Sequence, residues 1–357
     1  MQPLISKIKK NKEIIGVIGL GYVGLPLAVE FAKNNIKVIG FDIDLKKIET
    51  LKKGDNYIND IDSKDFIKAL DNKINFSSDF TKLKLCDGIL ICVPTPLDIF
   101  KKPNMSFIKN ACTLIAKHMS QHTFICLEST TYPTTTEDFI LPIIEGESNY
   151  KHGDDFWLAF SPERVDPGNK IFKTNNTPKI IGAISKEGLK IGKLIYSKCI
   201  EKLYEVSSPK VAEMVKILEN TYRLVNISLI NELALLAGKM DIDINEVIEA
   251  AKTKPFGFSP FYPGPGIGGH CIPLDPFYLE HIAKKYEFDL KMIETAGHIN
   301  MRMPHYMFIK ISSLLNKNSK SVNNSKILFL GVAYKPDISD ERESPALKII
   351  DKTISKG

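Results

Sequence analysis

The chain has 357 residues, enough for two or three domains that each bury a core. Hydrophobic residues make up 43% of it and charged residues 25%, while 22 glycines and 20 prolines are too few for a collagen-like or low-complexity chain. The formal net charge of +6 is spread over scattered lysines. Such a charge suits anionic ligands and gives no indication of nucleic-acid binding.

The cysteines and the apolar runs predict a cytoplasmic protein. No apolar run reaches 18 residues, and the N-terminal MQPLISKIKKNKE has no apolar signal core. The six cysteines show no CxxC pair and no spacing typical of a disulfide framework or zinc ribbon; they are Cys86, Cys92, Cys112, Cys126, Cys199 and Cys271. We therefore expect no metal, no membrane partner and no nucleic-acid partner.

Short apolar runs alternate with helical stretches in the first half of the chain. Such runs are typical of strands buried in a parallel sheet, and their alternation with helices indicates a doubly wound α/β domain, here over residues 1–207. The predicted strands are Glu13–Gly19, Lys37–Asp42, Gly88–Val93, Thr123–Leu127, Trp157–Phe160 and Lys179–Gly182.

The second half begins with a long predicted helix, Lys210–Met240, after a Ser-Ser-Pro start signal. A central helical domain, residues 208–317, follows from this pattern, interrupted by a Gly/Pro-rich loop at Ser259–Asp275. After the polar linker NKNSKSVNNS, a strand is predicted at Lys326–Gly331 and a helix at Pro345–Ile354. Because one βα unit cannot bury its own faces, we expect residues 318–357 to begin a third domain that is incomplete, or the chain to be a fragment.

A glycine turn follows the first predicted strand. Gly19, Gly21 and Gly24 fit the GxGxxG pattern, and Asp42 ends the next strand 18 residues after the last glycine. In a Rossmann-type domain these glycines allow a tight turn, an approach of the backbone to a pyrophosphate and close packing of the helix. Asp42 can accept hydrogen bonds from ribose hydroxyls and would repel a 2′-phosphate, which favours NAD over NADP. Lys47 is either a ribose contact or an ordinary helix lysine, and the turn as a whole could also bind nothing.

The loop PGPGIGGHCIPLDP holds four glycines and four prolines in 14 residues, so it cannot be a regular helix or strand. Its Cys271 is a candidate nucleophile, and Asp275 could orient or activate a water. His270 could tune the thiol. The alternative for Cys271 is a buried small hydrophobic residue, which is the interpretation we adopt for the other five cysteines.

Two further patterns are less specific. Lys216 and Asn220 are spaced i, i+4 on the long helix, so they share one face and could form an oxyanion site; a surface lysine beside a satisfied asparagine is the alternative. The loops 129–133 and 161–168 follow strand ends, the usual place for ligand contacts in a parallel sheet. In the second loop Arg164 could read an oxygen and Glu163 could handle a proton or a water, unless the loop is a structural salt-bridge turn.

Taken together, these segments resemble the UDP-glucose/GDP-mannose dehydrogenase family. The match covers nearly the whole chain in the family's order, and the cysteine-loop motif is highly specific. Its segments are GLGYVGLPLA (19–28), VPTP (93–96), EST (128–130), SPERVDPG (161–168), AEMVKILENTYR (212–223), GPGIGGHCIPLDPFYL (264–279) and GVAYKPDISDERESPA (331–346).

The resemblance implies oxidation of the C6 hydroxymethyl of a nucleotide sugar to a carboxylate with two NAD+. Cys271 resembles the nucleophile that traps the intermediate aldehyde as a thiohemiacetal, which becomes a thioester that water then hydrolyses. Lys216 resembles the lysine that stabilises the oxyanions, Asn220 its partner, and Asp275 the aspartate that assists through water.

The other matched positions complete the implied site. Glu163 matches the glutamate linked to thioester hydrolysis, and Thr130 matches the threonine that holds a catalytic water. Lys335 and Arg342 match positions from which the family's third, Rossmann-like domain contacts the nucleotide sugar. The implied cofactor residues are Gly19, Gly21, Tyr22, Val23, Gly24, Asp42, Lys47, Thr95 and Thr130. The implied substrate residues are Glu163, Arg164, Lys216, Asn220, Gly268, Lys335 and Arg342.

The turn SPERVDPG looks like that of the branch acting on UDP-N-acetylhexosamines. Family members that oxidise UDP-N-acetylmannosamine also carry an arginine after the glutamate but typically lack the Asp166-Pro167-Gly168 continuation. UDP-GlcNAc or UDP-GalNAc is therefore the expected substrate, with UDP-glucose and UDP-ManNAc as alternatives, and the product would be a precursor of a surface polysaccharide. The family also pairs through its long helix, which predicts a homodimer or higher homo-oligomer; burial of Lys210–Met240 within one subunit is the alternative.

Two other functions remain open on the sequence. A two-electron dehydrogenase of the hydroxyacid type shares a nucleotide domain followed by a helical domain, but it would not need Cys271. A truncated, non-catalytic nucleotide-binding module would explain a third domain that stops early.

Overall fold

A computed structural model of the chain describes residues 1–58, 61–98, 102–166, 168–169, 171–269, 272–336, 338 and 340–357, without the side chain of Asn72. The chain forms two compact units, Met1–Lys216 and Ile217–Gly357, and the border between them falls inside the long helix. Each unit has its own hydrophobic core.

The first unit contains one eight-stranded sheet of order β3-β2-β1-β4-β5-β6-β7-β8. All neighbouring strands are parallel except β6 and β7, which are antiparallel. The strand order reverses between β1 and β4, and ligands bind at such a switch point in open α/β sheets. The strands are β1 (Ile14–Ile18), β2 (Lys37–Phe41), β3 (Ile74–Ser77), β4 (Gly88–Ile91), β5 (Thr123–Leu127), β6 (Phe156–Phe160), β7 (Lys179–Ala183) and β8 (Leu203–Glu205).

Helices cover both faces of this sheet and bury two hydrophobic clusters. Side-chain oxygens cap three of the helices at their N-termini, Asp44, Asp62 and Ser185 each accepting from a backbone N–H of the first turn. The helices are α1 (Gln2–Lys9), α2 (Gly24–Lys33), α3 (Leu45–Lys52), α4 (Ser63–Asn72), α5 (Ser106–His118), α6 (Leu141–Glu147) and α7 (Lys186–Tyr196), with a 3-10 turn at Phe80–Leu85 and a π-helical turn at Thr135–Ile140.

The described residues of the second unit form helices and loops, without a strand. Its core joins Leu224, Ile293 and Ala296. None of the helices in the described parts of the chain is both long enough and apolar enough to cross a membrane. The helices are α8 (Pro209–Lys239), which begins in the first unit, α9 (Ile244–Lys252), α10 (Asp275–Ala283), α11 (Lys291–Lys317) and α12 (Pro345–Ile354), with a 3-10 turn at Lys284–Tyr286.

The structure confirms the predicted α/β class, the six strands of the first half and the long helix. The strand predicted at Lys326–Gly331 is wrong, because residues 326–331 form no strand. A strand needs a neighbour for its backbone hydrogen bonds, and the described part of the second unit offers none. Leu328 and Leu330, 82% and 88% exposed, accordingly have no sheet to pack on. A third domain beginning at residue 318 stays a prediction.

Candidate active site

The glycine turn after β1 is shaped for a ligand that approaches Gly21. Gly19 has a φ of +93°, and a Cβ there would lie 2.6 Å from the Cys92 carbonyl oxygen. A Cβ at Gly24 would lie 1.9 Å from the Gly19 carbonyl oxygen, so the helix packs directly on the turn. A Cβ at Gly21, by contrast, meets nothing within 4 Å. Two of the glycines are therefore required by packing, while the third keeps an open backbone surface of the kind a pyrophosphate approaches.

Asp42 lies beside this turn at the end of β2. Its Oδ2 accepts a hydrogen bond from the Leu20 backbone N–H at 2.9 Å, and its Oδ1 accepts from the Asp44 N–H at the same distance. The Nζ of Lys47 is 3.8 Å from Oδ2, so the lysine pairs with the acid in this structure. The carboxylate is thus fixed next to the glycine turn, where a ribose would extend from a bound pyrophosphate.

The sequence analysis missed two residues near the turn. The hydroxyl of Tyr57 donates to the Leu20 carbonyl at 2.6 Å and holds the turn from the other side. Burial raises the pKa of Tyr57, so the phenol remains a donor. Ile43, directly after Asp42, is 75% exposed and presents apolar surface beside the turn. Its neighbourhood to an acid at a strand end could have drawn attention to it.

The remaining predicted cofactor residues lie around the same edge of the sheet. Tyr22 is half exposed and Val23 half-buried, both in the glycine turn. Thr95 is half-buried in the loop after β4, and Thr130 is half-buried in the loop after β5. Strands β4 and β5 are parallel neighbours, so their carboxyl ends open on one edge.

The loop after β6 holds Glu163 by its own backbone. The Glu163 Oε1 accepts from the N–H groups of Arg164 and Val165 at 2.7 and 2.8 Å. The guanidinium of Arg164 donates from Nη1 to the Pro178 carbonyl at 2.6 Å, which ties this loop to the start of β7. The turn therefore presents a half-buried carboxylate whose orientation is set by local hydrogen bonds.

A buried ion pair underlies these two loops. Lys179 donates from Nζ to Glu128 Oε2 at 2.6 Å and to the Pro162 carbonyl at 3.4 Å, and the hydroxyl of Tyr196 donates to the other Glu128 oxygen. Burial alone would lower the pKa of Lys179, but the Glu128 carboxylate raises it above its ordinary value, so the ammonium stays charged. The sequence analysis missed this cluster because its members are far apart along the chain.

In the second unit, Asn220 and Asp275 meet. The Asn220 amide donates to the Asp275 Oδ2 at 2.6 Å, and the two side chains are only 5% and 4% exposed. Asn220 lies on α8, one turn after the half-buried Lys216, and Asp275 begins α10. The structure thus brings together the two motif segments that the sequence analysis singled out in this half of the chain.

The glycine loop before residue 270 packs on Tyr334 and on residues 342–345. A Cβ at Gly268 would lie 2.6 Å from the Tyr334 Cβ, and the Gly269 N–H donates to the Arg342 carbonyl at 3.1 Å. The Arg342 guanidinium itself donates from Nε to both Asp340 oxygens, at 2.8 and 3.0 Å. Lys335 is half-buried in the same segment. The glycine loop therefore lies beside Arg342 and beside Tyr334, which Lys335 follows directly in the chain.

Nearer the start of the same loop, a network of polar side chains holds the loop to two helices. The Gly264 N–H donates to Asn231 Oδ1 at 2.9 Å, and the Asn231 amide donates to Asn300 Oδ1 at the same distance. Asn300 in turn donates to the hydroxyl of Ser228. All three side chains are buried. Their hydrogen bonds fix the loop between α8 and α11.

His270 and Cys271 lie outside the described residues. The other five cysteines are buried, as predicted. Burial raises the pKa of Cys112 and Cys86 to about 12, which leaves both thiols protonated near neutral pH. A protonated, buried thiol is a poor nucleophile, so these cysteines do not compete with Cys271 for that role.

The first unit, with its strand order, its glycine turn and the acid that ends β2, is that of a dinucleotide-dependent dehydrogenase. A family model for the NAD-binding domain of the UDP-glucose/GDP-mannose dehydrogenase family matches residues 13–200, and one for its central domain matches residues 210–302. The chain belongs to this family, is an NAD-dependent nucleotide-sugar dehydrogenase, and uses NAD as its cofactor.

Individual relatives match almost the whole chain. Protein CapL of Staphylococcus aureus is 38% identical over 344 residues, which cover 96% of this chain and 80% of that protein. A UDP-N-acetyl-D-glucosamine 6-dehydrogenase of Pseudomonas aeruginosa is 34% identical over 94% of this chain and 79% of its own. The structure of a UDP-D-ManNAc dehydrogenase from Pyrococcus horikoshii has a TM-score of 0.91 at 34% identity, covering 96% of this chain and 81% of its own. The chain thus spans about four-fifths of the length of these relatives.

Proposed function

We propose that the chain oxidises the C6 hydroxymethyl of a UDP-N-acetylhexosamine, UDP-GlcNAc or UDP-GalNAc, to the uronate. The observation that carries the proposal is the buried Asn220–Asp275 hydrogen bond, because it joins the helix motif to the cysteine-loop motif. Overall, the sugar alcohol and one water become a carboxylate while two hydrides leave C6 and three protons are released. The net reaction removes four electrons, which two NAD+ accept.

The first unit holds the cofactor. The open backbone at Gly21 and the N-terminus of α2 fit a pyrophosphate, and Asp42 fits the adenosine ribose. Ile43 offers the exposed apolar surface that an adenine ring needs. When bound, NAD accepts a hydride in each of the two oxidations. Tyr22, Val23, Thr95 and Thr130 are the other residues we assign to it.

Cys271 carries the covalent chemistry. Loss of a hydride from C6 and of the hydroxyl proton first gives the C6 aldehyde. The Cys271 thiolate adds to its carbonyl carbon, and the resulting alkoxide takes up one proton, equivalent to the one that the thiol had lost, to become the hydroxyl of a thiohemiacetal. Loss of a hydride from that carbon, with a proton from the hydroxyl, leaves a thioester. Water then attacks the thioester carbon and the C–S bond breaks, which releases the uronate and regenerates the free thiol. Covalent capture keeps the aldehyde on the enzyme between the two oxidations.

Polar residues of the other motifs stabilise charge and place water. Lys216 and the Asn220 amide stabilise the oxyanions that form at C6, and Asp275, fixed by that amide, orients the water. Glu163 assists thioester hydrolysis and Thr130 holds a water. These two loops rest on the Glu128–Lys179 pair, which supports the proposed roles by keeping the loops ordered.

We assign Arg164 to recognition of the acetamido sugar. Gly268, Lys335 and Arg342 are assigned to binding of the nucleotide sugar. The similarity to the Pyrococcus horikoshii structure favours UDP-ManNAc as a second candidate substrate. A panel of UDP-GlcNAc, UDP-GalNAc, UDP-ManNAc and UDP-glucose, read by NADH formation, decides between them. A higher kcat/KM for UDP-glucose than for every acetamido sugar would overturn the substrate class.

We also propose that the enzyme works in the cytoplasm as a homodimer and supplies a uronate precursor of a surface polysaccharide. In support of the dimer, α8 is 31 residues long and carries exposed apolar side chains at helical spacing, among them Leu218, Tyr222, Leu229, Leu233 and Leu236. Light scattering of wild type and Leu233→Glu tests it. A wild-type monomer at micromolar concentration would contradict the dimer.

A further inference from the structure

Glu213 is a buried carboxylate in the first turns of α8 that receives hydrogen bonds only from donors of one loop, as far as the described contacts show. Its Oε2 accepts from the Thr134 N–H at 2.7 Å. Its Oε1 accepts from the Thr136 N–H at 2.9 Å and from the Thr136 hydroxyl at 2.6 Å. The residue is 0% exposed, and all these groups lie within the first unit. Three charge-assisted bonds to one buried carboxylate make a strong local tie.

The loop end that Glu213 binds needs such a tie. Thr134 has a φ of +82°, in the left-handed region that favours glycine and that costs a threonine about 1–2 kcal/mol. The following π-helical turn begins with N–H groups that have no partner inside the turn. Hydroxyl bonds from Thr131 to Thr135 and from Thr135 to the Tyr132 carbonyl, at 2.7 and 2.8 Å, tighten the loop locally. The Glu213 carboxylate connects this strained end to α8.

Glu213 connects the loop 129–136 to helix α8, and each of these two elements carries a residue of the proposed chemistry. The loop 129–136 contains Thr130, four residues before the left-handed Thr134. Lys216 follows Glu213 by three residues on α8, so the two share a helix face. We propose that Glu213 is a positioning residue that fixes Thr130 against Lys216 for nucleotide-sugar oxidation. The proposal rests on the proposed function.

The ionised carboxylate is the form that can accept all three bonds. A protonated carboxyl loses at least one of these bonds, because its O–H faces either a backbone N–H, which cannot accept, or the Thr136 hydroxyl, which must then stop donating to it. Burial raises the pKa of Glu213 to about 7, against the bonds from Thr136 and Thr134 that lower it. The titratable groups that face it across the contact are Tyr132 and Glu137, with Asp138 beside Tyr132, and on its own helix Lys216 lies one turn away. Positioning by Glu213 is therefore expected to weaken as the pH falls below about 7.

The test compares Glu213→Gln with wild type in the full chain, with Glu232→Gln, an exposed carboxylate on the same helix, as the matched control. We expect Glu213→Gln to fold, to bind NAD within twofold of wild type, and to lose about 10- to 100-fold in kcat, since small misplacements of reacting groups cost that much. Its kcat should also lose the wild-type decline between pH 8 and 6. A folded variant with wild-type kcat and pH profile overturns the proposal.

A second variant covers the case in which Glu213→Gln fails to fold. Thr136→Val removes one of the three donors and keeps the shape, while Thr136→Ser keeps the hydroxyl. A lower kcat for the valine variant that the serine variant restores supports positioning; an unchanged kcat in both overturns it. If the wild type oxidises none of the four UDP-sugars, the proposed function fails instead, and hydrogen exchange of residues 129–140, corrected for intrinsic rates, then tests the tie in Thr136→Val. Unchanged protection there overturns it.

Discussion

Asn220 and Asp275, 55 residues apart in the sequence, share a 2.6 Å hydrogen bond in a site that excludes almost all solvent from both side chains. The bond can be separated from the charge of the carboxylate. In Asp275→Asn, the new amide oxygen can still accept from Asn220, so the fold should be retained while the negative charge is lost.

We therefore expect the free energy of unfolding of Asp275→Asn to lie within about 1 kcal/mol of that of wild type. Its turnover should be at least about 100-fold slower. Asp275→Ala should lose the same activity and an additional 1–3 kcal/mol or so of stability, because it leaves the buried Asn220 amide without this acceptor. Urea unfolding and NADH formation measure the two effects. Turnover of Asp275→Asn close to wild type would show that the carboxylate does not act in the reaction.

Asp42 should set the preference for NAD over NADP. Replacing it with alanine removes the charge that repels a 2′-phosphate, so the ratio of kcat/KM for the two cofactors should narrow by about tenfold or more. The KM for NAD should rise as well, because the Leu20 and Asp44 N–H groups lose their acceptor. Lys47→Ala is the control and should change the ratio little. A wild type that uses NADP as well as NAD contradicts this role.

The Glu128–Lys179 pair should be far more important to the fold than a surface pair. Lys179→Met leaves a buried, uncompensated carboxylate and should cost about 3–5 kcal/mol, while adding Glu128→Gln should recover much of that loss. Lys193→Met breaks the exposed pair with Glu205 and should cost less than about 1 kcal/mol. Denaturant titrations of these variants test the difference. Equal losses for the two lysines would mean that burial does not set the strength of the pair.

Glu213 should make stability fall as the pH rises. Its pKa is raised from 4.5 to about 7 in the folded protein, so between these values the folded state holds a proton that the unfolded state has lost. The free energy of unfolding of wild type should therefore decrease by up to about 3 kcal/mol from pH 4.5 to above pH 7, relative to Glu213→Gln. Urea unfolding at pH 5 and pH 8 measures the difference. A wild type and a variant that change in parallel would contradict the raised pKa.

Local sequence patterns predicted the strands that are long apolar runs and that pair with other such runs. The apolar runs of β4 and β5 are buried on both faces, and that of β1 is buried except at Ile14, so their composition identified them. β3 (INFS) and β8 (LYE) are short and contain polar residues, and neither was predicted. KILFLG has the composition of a buried strand yet forms none, because pairing, which no local pattern encodes, decides whether a strand exists.

The candidate site divides in the same way. The glycine turn, Asp42 and the Asn220–Asp275 pair lie in recognisable motifs, and in the structure Asp42 bonds to the turn and Asn220 bonds to Asp275. Tyr57 and Lys179 act through contacts with distant segments, so their residue types alone gave no indication of a role. Buried positioning groups of this kind become visible only once the fold brings their partners together.

The four-electron mechanism is tested most directly by Cys271→Ser, assayed for NADH and uronate with UDP-GlcNAc or the best substrate of the panel. Wild type should form two NADH for each sugar consumed, with a carboxylate as product. The serine variant should still bind NAD+ and the UDP-sugar, but its steady-state turnover should fall by about 10³-fold or more, because an oxygen nucleophile replaces the thiolate on which the second oxidation depends. Near wild-type formation of the uronate by Cys271→Ser would contradict covalent catalysis by this residue.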